Sequence, residues 1–291
     1  MRYIRYITTM EEVVSAIVTP NSEVYNLPLN NYVEFYYELK SRNISIDKYI
    51  EEEGLVPLEN KKLEDLKLIL PISSDEVWAS GVTYLKSKDA RNYEATQGKL
   101  NQETFYDKVY DAERPEIFMK STARRLVGPS DEIYIRRDSD WQIPEPELTL
   151  IIGEKDEIIG YTLGNDMSCR DIEGENPLYL PQAKIWRNSC SIGPAILLPE
   201  SIEDPYSIDI TCRIYRDDRL IFEGSAFVNQ LKRKLDELVR YLVFDNDILP
   251  GTALMTGTCI VPPNDFSLQT GDQVEIYSSK IGSLWNTVNQ N

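Results

Sequence analysis

Between residues 116 and 261 the chain is a succession of short apolar or alternating runs, most of them bounded by Gly, Pro, Asn or Asp. The runs at 117–120, 133–136, 148–152, 158–163, 195–198, 208–215 and 220–223 are rich in Ile, Leu, Tyr and Phe and too short for helices, so strands are predicted. One stretch breaks the pattern. Leu231, Leu235, Leu238, Val239 and Leu242 recur at helical spacing, which predicts a helix over 228–244 with a core-facing stripe. Gly271-Asp272 predicts a turn into a closing strand at 274–277. Many short strands and few helices restrict the chain to an α+β, mainly β architecture.

Upstream, the runs at 3–7, 13–18 and 24–27 predict strands, with a turn at Pro20-Asn21; residues 10–17 also fit a helix. Residues 31–53 predict a helix whose apolar stripe includes Val33, Phe35, Tyr36 and Leu39. A short linking strand is predicted at 66–70, stopped by Pro71. The expected division is a small N-terminal α+β domain over 1–70 and a catalytic domain over 71–291. Residues 86–111 are polar, with Tyr93, Phe105, Tyr106 and Tyr110 interspersed. Helix plus loop is predicted there, either a lid or a solvated segment without a role.

Charge and composition narrow the function. Against 31 basic residues stand 48 acidic ones, a net charge of −17, which disfavours nucleic acid and anionic membrane surfaces as partners. A small anionic substrate stays compatible, because a bound cation and a few lysines reverse the sign inside a pocket. No apolar run approaches the ~20 residues of a membrane span, and 1–14 lacks the apolar core of a signal peptide. A cytoplasmic location is expected. Cys169, Cys190, Cys212 and Cys259 have no CxxC spacing; buried thiols are expected, one disulfide being the alternative.

The chain contains no histidine. Ser–His and Cys–His nucleophilic catalysis and histidine-ligated zinc or haem are excluded. Proton transfer falls to carboxylates shifted up or lysines shifted down by their surroundings.

Within that limit, the run Trp141-Gln-Ile-Pro-Glu-Pro-Glu-Leu stands out. Glu145 and Glu147 lie two apart, so in a strand both face one way. Asp166 follows the next strand and would bring a third carboxylate to the same place. Three clustered carboxylates repel unless a positive charge sits among them, and a hard divalent cation is the simplest source. Alternating carboxylates usually mark no more than a solvent face. Here Pro144 and Pro146 remove two backbone donors and mark a rim, while 148–152 runs into the core. Asp166 also reads as a turn-capping residue, and Arg170-Asp171 as a local ion pair. Lys184 is either solvated or the partner of the carboxylates. Glu116, Phe118 and Lys120 would share one strand face. Thr256-Gly257-Thr258 could present donors to a carboxylate.

These motifs, PEPEL, a GY-bearing strand, NDMS, RD and PQAK, together with ASGVTY, RPEIFMK, TGT and GDQVEI, occur in an order that resembles the fumarylacetoacetate hydrolase superfamily from about residue 77 onward. RPEIF, WQIPEPEL and ENPLYLPQAK are most similar to its branch of sugar-acid dehydratases. The resemblance implies a mixed β-roll catalytic domain, a homo-oligomer (dimer or tetramer) and a metal ion on Glu145, Glu147 and Asp166. Mg²⁺ is the implied ion, with Mn²⁺ or Ca²⁺ as alternatives. It implies a catalytic pair, Glu116 and Lys184, and substrate-facing positions at Ser80, Tyr84, Lys120, Glu173 and Thr258. Many hydrolytic members use a histidine–glutamate dyad, which this chain cannot build.

The implied reaction is dehydration of a 2-keto-3-deoxy sugar acid, 2-keto-3-deoxy-D-arabinonate to 2,5-dioxopentanoate, through a metal-stabilised enolate. Glu116 is the leading base and Lys184 the charge stabiliser or proton donor; exchanged roles, or a lid base such as Glu94, also fit. The competing enzymatic reading is C–C hydrolysis or decarboxylation of an acylpyruvate- or oxaloacetate-type 2-oxo acid. A catalytically silent binding homologue and a Ca²⁺ module are the non-enzymatic ones, the latter without the ligand loop such sites use.

Overall fold

The computed structural model describes residues 1–59, 61–96 and 105–290, with Glu94, Ala95 and Phe105 described by their backbone alone. Its largest sheet has eleven strands. The continuous path runs Val24–Asn26, Val13–Val18, Arg2–Ile7, Cys190–Leu197, Ile158–Asp166, Pro146–Ile152, Ala253–Met255, Glu76–Gly81 and Glu116–Thr122. A second sheet has five strands in the order Arg219–Phe227, Asp209–Arg216, Gln273–Ser278, Gly282–Gln290 and Glu132–Ile135. Most neighbours are antiparallel, but Ala253–Met255 runs parallel to Glu76–Gly81 and Gly282–Gln290 parallel to Glu132–Ile135. The architecture is the mixed, mainly β one that the strand pattern predicts.

Leu148, Leu150, Leu163, Ile210, Ile214, Leu254, Ile276 and Leu284 belong to one buried cluster that spans the two sheets. On the other face of the large sheet, Ile151, Ile159, Ile196 and Met255 pack with Tyr3, Tyr32, Phe35 and Tyr49 of the N-terminal segment. Pro146–Ile152 is thus buried on both faces, which is why it reads as a continuous apolar run after its glutamates.

Several predicted elements are corrected. The helix over 31–53 is two, Tyr32–Arg42 and Ile46–Glu52. Asn43 takes a left-handed conformation (φ 51°) that ends the first, and Ser45 caps the second by accepting from the Lys48 amide. Residues 10–17 are not helical; Glu11 turns with φ 63° and Val13–Val18 returns as a strand. The helix over 228–244 shortens to Leu235–Val243, because tertiary bonds hold the preceding residues. The Lys232 amide donates to Thr83 O, and Arg233 reaches Glu113 O at 2.9 Å. The closing strand is one arm of a hairpin, Gln273–Ser278 with Gly282–Gln290. Three N-terminal strands join the large sheet through Arg2–Ile7 and Cys190–Leu197, so the sheet runs across the boundary expected at residue 70.

The polar segment 86–111 forms helices Leu85–Thr96 and Phe105–Asp111, and its middle, 97–104, lies outside the described residues. No helix among the described residues is long and apolar enough to cross a membrane. All four cysteines are free and buried.

Candidate active site

The hairpin Pro146–Ile152/Ile158–Asp166 assembles the carboxylates. Glu147 lies opposite Gly164, and Asp166 is two residues further along the same face. Glu145 precedes the strand, and its carbonyl accepts from the Asp166 amide at 3.0 Å. Asn165 Oδ1 accepts from the Glu145 amide at 3.1 Å and holds the rim. Each of Glu145, Glu147 and Asp166 offers an oxygen, and these lie within 4.8 Å of one another. All three are buried, between 2 and 4 % exposed.

Positive groups surround the cage. Lys184, at the end of helix Leu180–Lys184, sets its ammonium against Glu145 and 3.3 Å from Asp166. Lys120 lies 2.7 Å from Asp166 and donates to Met167 O, also at 2.7 Å. Its position comes from a bulge: register passes from Val77↔Ser121 to Trp78↔Met119, leaving Lys120 as the extra residue. That bulge interrupts the simple alternation predicted for 116, 118 and 120. The Arg170 guanidinium, 1 % exposed, sits 3.0 Å from Glu145, a role the reading as a local pair with Asp171 misses. Asp171 accepts from Ser139 Oγ and the Asp140 amide. Glu147 accepts from the Gly257 amide at 2.6 Å. Gly257 has φ +97°, and a Cβ there would lie 1.9 Å from Thr83 Oγ1, so only glycine fits this close turn.

Electrostatics divide the three acids. Burial, then Asp166 and Glu145, push Glu147 well above the usual carboxylate range. Burial would raise Asp166 too, but Lys120 and Lys184 outweigh it and hold that group below its ordinary value. Burial also raises Glu116, against the pull of Arg91 and Lys184.

The donor set fits a hard divalent cation. It is all oxygen, and a 4.8 Å spread is close to the ~4.2 Å across an octahedral ion with ~2.1 Å bonds. A small pocket over the cage is lined by Ser80, Gly81, Phe118, Lys184, Gly257 and Thr258 among others, and Arg91 reaches it from helix Leu85–Thr96. Arg91 also lines an adjoining chamber of about 350 Å³, with Glu116 and Glu173 on its wall. Ser80 Oγ and Glu116 Oε2 are buried without a hydrogen-bond partner among the described residues.

Of the residues singled out from sequence, Glu145, Glu147, Asp166, Lys184, Lys120, Ser80 and Thr258 gather at the cage; Glu116 and Glu173 face the chamber beside it. Tyr84 instead packs in the main core, 3 % exposed. The chain turns there into helix Leu85–Thr96, with Ser87 Oγ bonding both the Tyr84 amide and carbonyl. The Glu94 side chain lies outside the described residues. The Gly257 amide on Glu147 is a donor of the kind expected from Thr256-Gly257-Thr258, whereas the site contacts of Arg91 and Arg170 were not foreseen; both come through tertiary packing and carry no local signal.

Residues 87–289 match the family model "Fumarylacetoacetate (FAA) hydrolase C-terminal". The chain belongs to the fumarylacetoacetate hydrolase family. It is 46% identical over 227 residues to the 2-dehydro-3-deoxy-D-arabinonate dehydratase of Saccharolobus solfataricus, covering 78% of this chain and 76% of that protein. Identity is 44% over 224 residues to a probable 2-keto-3-deoxyxylonate dehydratase of Haloferax volcanii, covering 77% and 75%. Among solved structures, 2-keto-3-deoxy-D-arabinonate dehydratase complexed with magnesium and 2,5-dioxopentanoate aligns with TM-score 0.86 at 36% identity, over 100% of this chain and 99% of that one.

Proposed function

We propose that this chain is a hydro-lyase that converts 2-keto-3-deoxy-D-arabinonate to 2,5-dioxopentanoate with Mg²⁺, or Mn²⁺ or Ca²⁺, held by Glu145, Glu147 and Asp166. The observation that carries this reading is the buried all-oxygen cage backed by Lys120 and Lys184, in a chain 46% identical to a dehydratase of that class. A divalent ion bound there supplies Lewis acidity to the 2-oxo acid end of the substrate.

The residues handle protons. Glu116 Oε2, buried, unpartnered and raised in pKa, is the base for a C3 proton. Lys184 Nζ balances the negative charge that develops on the 2-oxo oxygen, or delivers a proton. The C4 hydroxyl leaves as water, and proton shifts among C3, C4 and C5 turn the terminal alcohol into an aldehyde. One water is lost and nothing is oxidised overall. Removing the centres at C2 and C3 leaves C4 as the one stereocentre of any 2-keto-3-deoxy pentonate. The pentonate names of the two relatives therefore describe molecules that can differ only there.

The test is turnover of both C4 enantiomers with Mg²⁺ and with EDTA, following the 2,5-dioxo acid. Metal-dependent product from one enantiomer is expected. No product, or product indifferent to EDTA, overturns the reading. The same reading takes the enzyme as a cytoplasmic homo-oligomer, which sedimentation of the purified protein checks as to subunit number.

A further inference from the structure

The chamber beside the cage has a wall unlike the sugar acid it would receive. Val109, Pro115, Leu178 and Leu180 make much of it apolar. Set into this surface are Arg91, 4 % exposed, and Glu173, 1 % exposed, paired with each other. Glu173 Oε2 also accepts from Ser168 Oγ at 2.8 Å, and the Arg91 guanidinium lies 5.7 Å from the Tyr106 ring centre. The pair is therefore fixed on both sides. Arg91 lines both the carboxylate pocket and the chamber, whereas Glu173 lines the chamber alone.

We infer that the Arg91–Glu173 pair reads the terminal C5 hydroxyl of the substrate, an inference that rests on the dehydratase reading. With the 2-oxo acid end at the cage, the chain of a pentonate runs past Glu116 into the chamber. A hydroxyl both donates and accepts, and the pair offers one partner for each: Glu173 accepts the O5 proton and Arg91 donates to O5. A methyl group in place of CH₂OH would shield the pair from water and return no hydrogen bond. Sites built around a substrate hydroxyl reject the analogue that lacks it far more strongly than apolar pockets reject a missing methylene. Arg91 belongs to helix Leu85–Thr96, so the same contact would hold that helix over the bound acid.

The experiment compares kcat/KM for the pentonate with that for 4-hydroxy-2-oxopentanoate, the 5-deoxy compound, whose dehydration gives a conjugated enone seen by absorbance. Wild-type enzyme should favour the pentonate by at least about a hundredfold. In Glu173→Gln that ratio should fall at least tenfold, while Mg²⁺ affinity and the thermal midpoint report an intact cage and fold. Arg91→Lys, which keeps a cation against Glu173, should retain more of the preference than Arg91→Met. Equal turnover of the two acids by wild type overturns this inference alone. So does an unchanged ratio in Glu173→Gln. Failure of wild type on both acids, with Mg²⁺ bound, retracts it together with the dehydratase reading.

Discussion

Of the three carboxylates of the cage, Glu147 has the least direct compensation. Its contacts are the Gly257 amide and two neighbouring acids, whereas Glu145 and Asp166 each touch a lysine. Replacing it by Gln removes a buried charge and keeps the shape. The apo protein should melt higher and Mg²⁺ affinity should drop at least tenfold, measured by thermal denaturation and calorimetric titration. A lower melting point would contradict an uncompensated charge on Glu147. Gly81 pairs with Glu116 across the strands. A Cβ on Gly81 would fall 1.9 Å from Glu116 Oε2. Gly81→Ala must displace that carboxylate, and misplacing a proton acceptor by about 1 Å lowers rate by roughly a hundredfold. Steady-state kinetics alongside circular dichroism would show kcat falling with the fold kept.

At the scale of elements, the hairpin carries the cage and the segment after Arg219–Phe227 carries the roof. Lys232 donates to Tyr110 O and Asp111 at 2.6 Å and lies 3.9 Å over the Tyr110 ring. Arg233 bonds Ala112 O and Glu113 O. These bonds unwind the start of the helix that periodicity predicts over 228–244, and they anchor helix Phe105–Asp111. Arg233→Ala should therefore raise KM severalfold and speed hydrogen exchange in 105–111 while leaving Mg²⁺ binding alone. Unaltered exchange there would show that the anchor lies elsewhere. The same economy of cause explains the two-part helix at 31–53: the apolar stripe was legible, but the break depended on Asn43 tolerating a left-handed turn.

For the molecule as a whole, stability and metal binding are linked through pH. Glu147 and Glu116 hold their protons more tightly folded than unfolded. Their contribution is present below the unfolded carboxylate value, near ~4.3, and is lost as pH rises through the raised folded values. Asp166 has the opposite sign: its contribution is present above the unfolded value and is lost as pH falls through the lowered one. A cation on the cage offsets the loss caused by Glu147. The rise in thermal midpoint produced by saturating Mg²⁺ should accordingly be larger at pH 8 than at pH 5, and EDTA should erase it. A shift independent of pH would count against the cage as the metal site.

The chain itself determined the strand-rich class, because short β-rich runs between turn residues cannot be helices. It also determined the three carboxylates, because residues two apart on a strand must share a face. The absence of histidine confined the chemistry to acids and lysines before any coordinate was known. Tertiary structure alone decided which cations meet those acids. Arg170 and Lys120 are ordinary residues in sequence; a bulge and a buried helix start bring them to Asp166 and Glu145. Tyr84 went the other way, into the core, since the turn before helix Leu85–Thr96 sets its direction. Arg91 meets Glu173 across more than eighty residues of chain. Such pairings depend on where separate elements pack, and local periodicity contains no term for that.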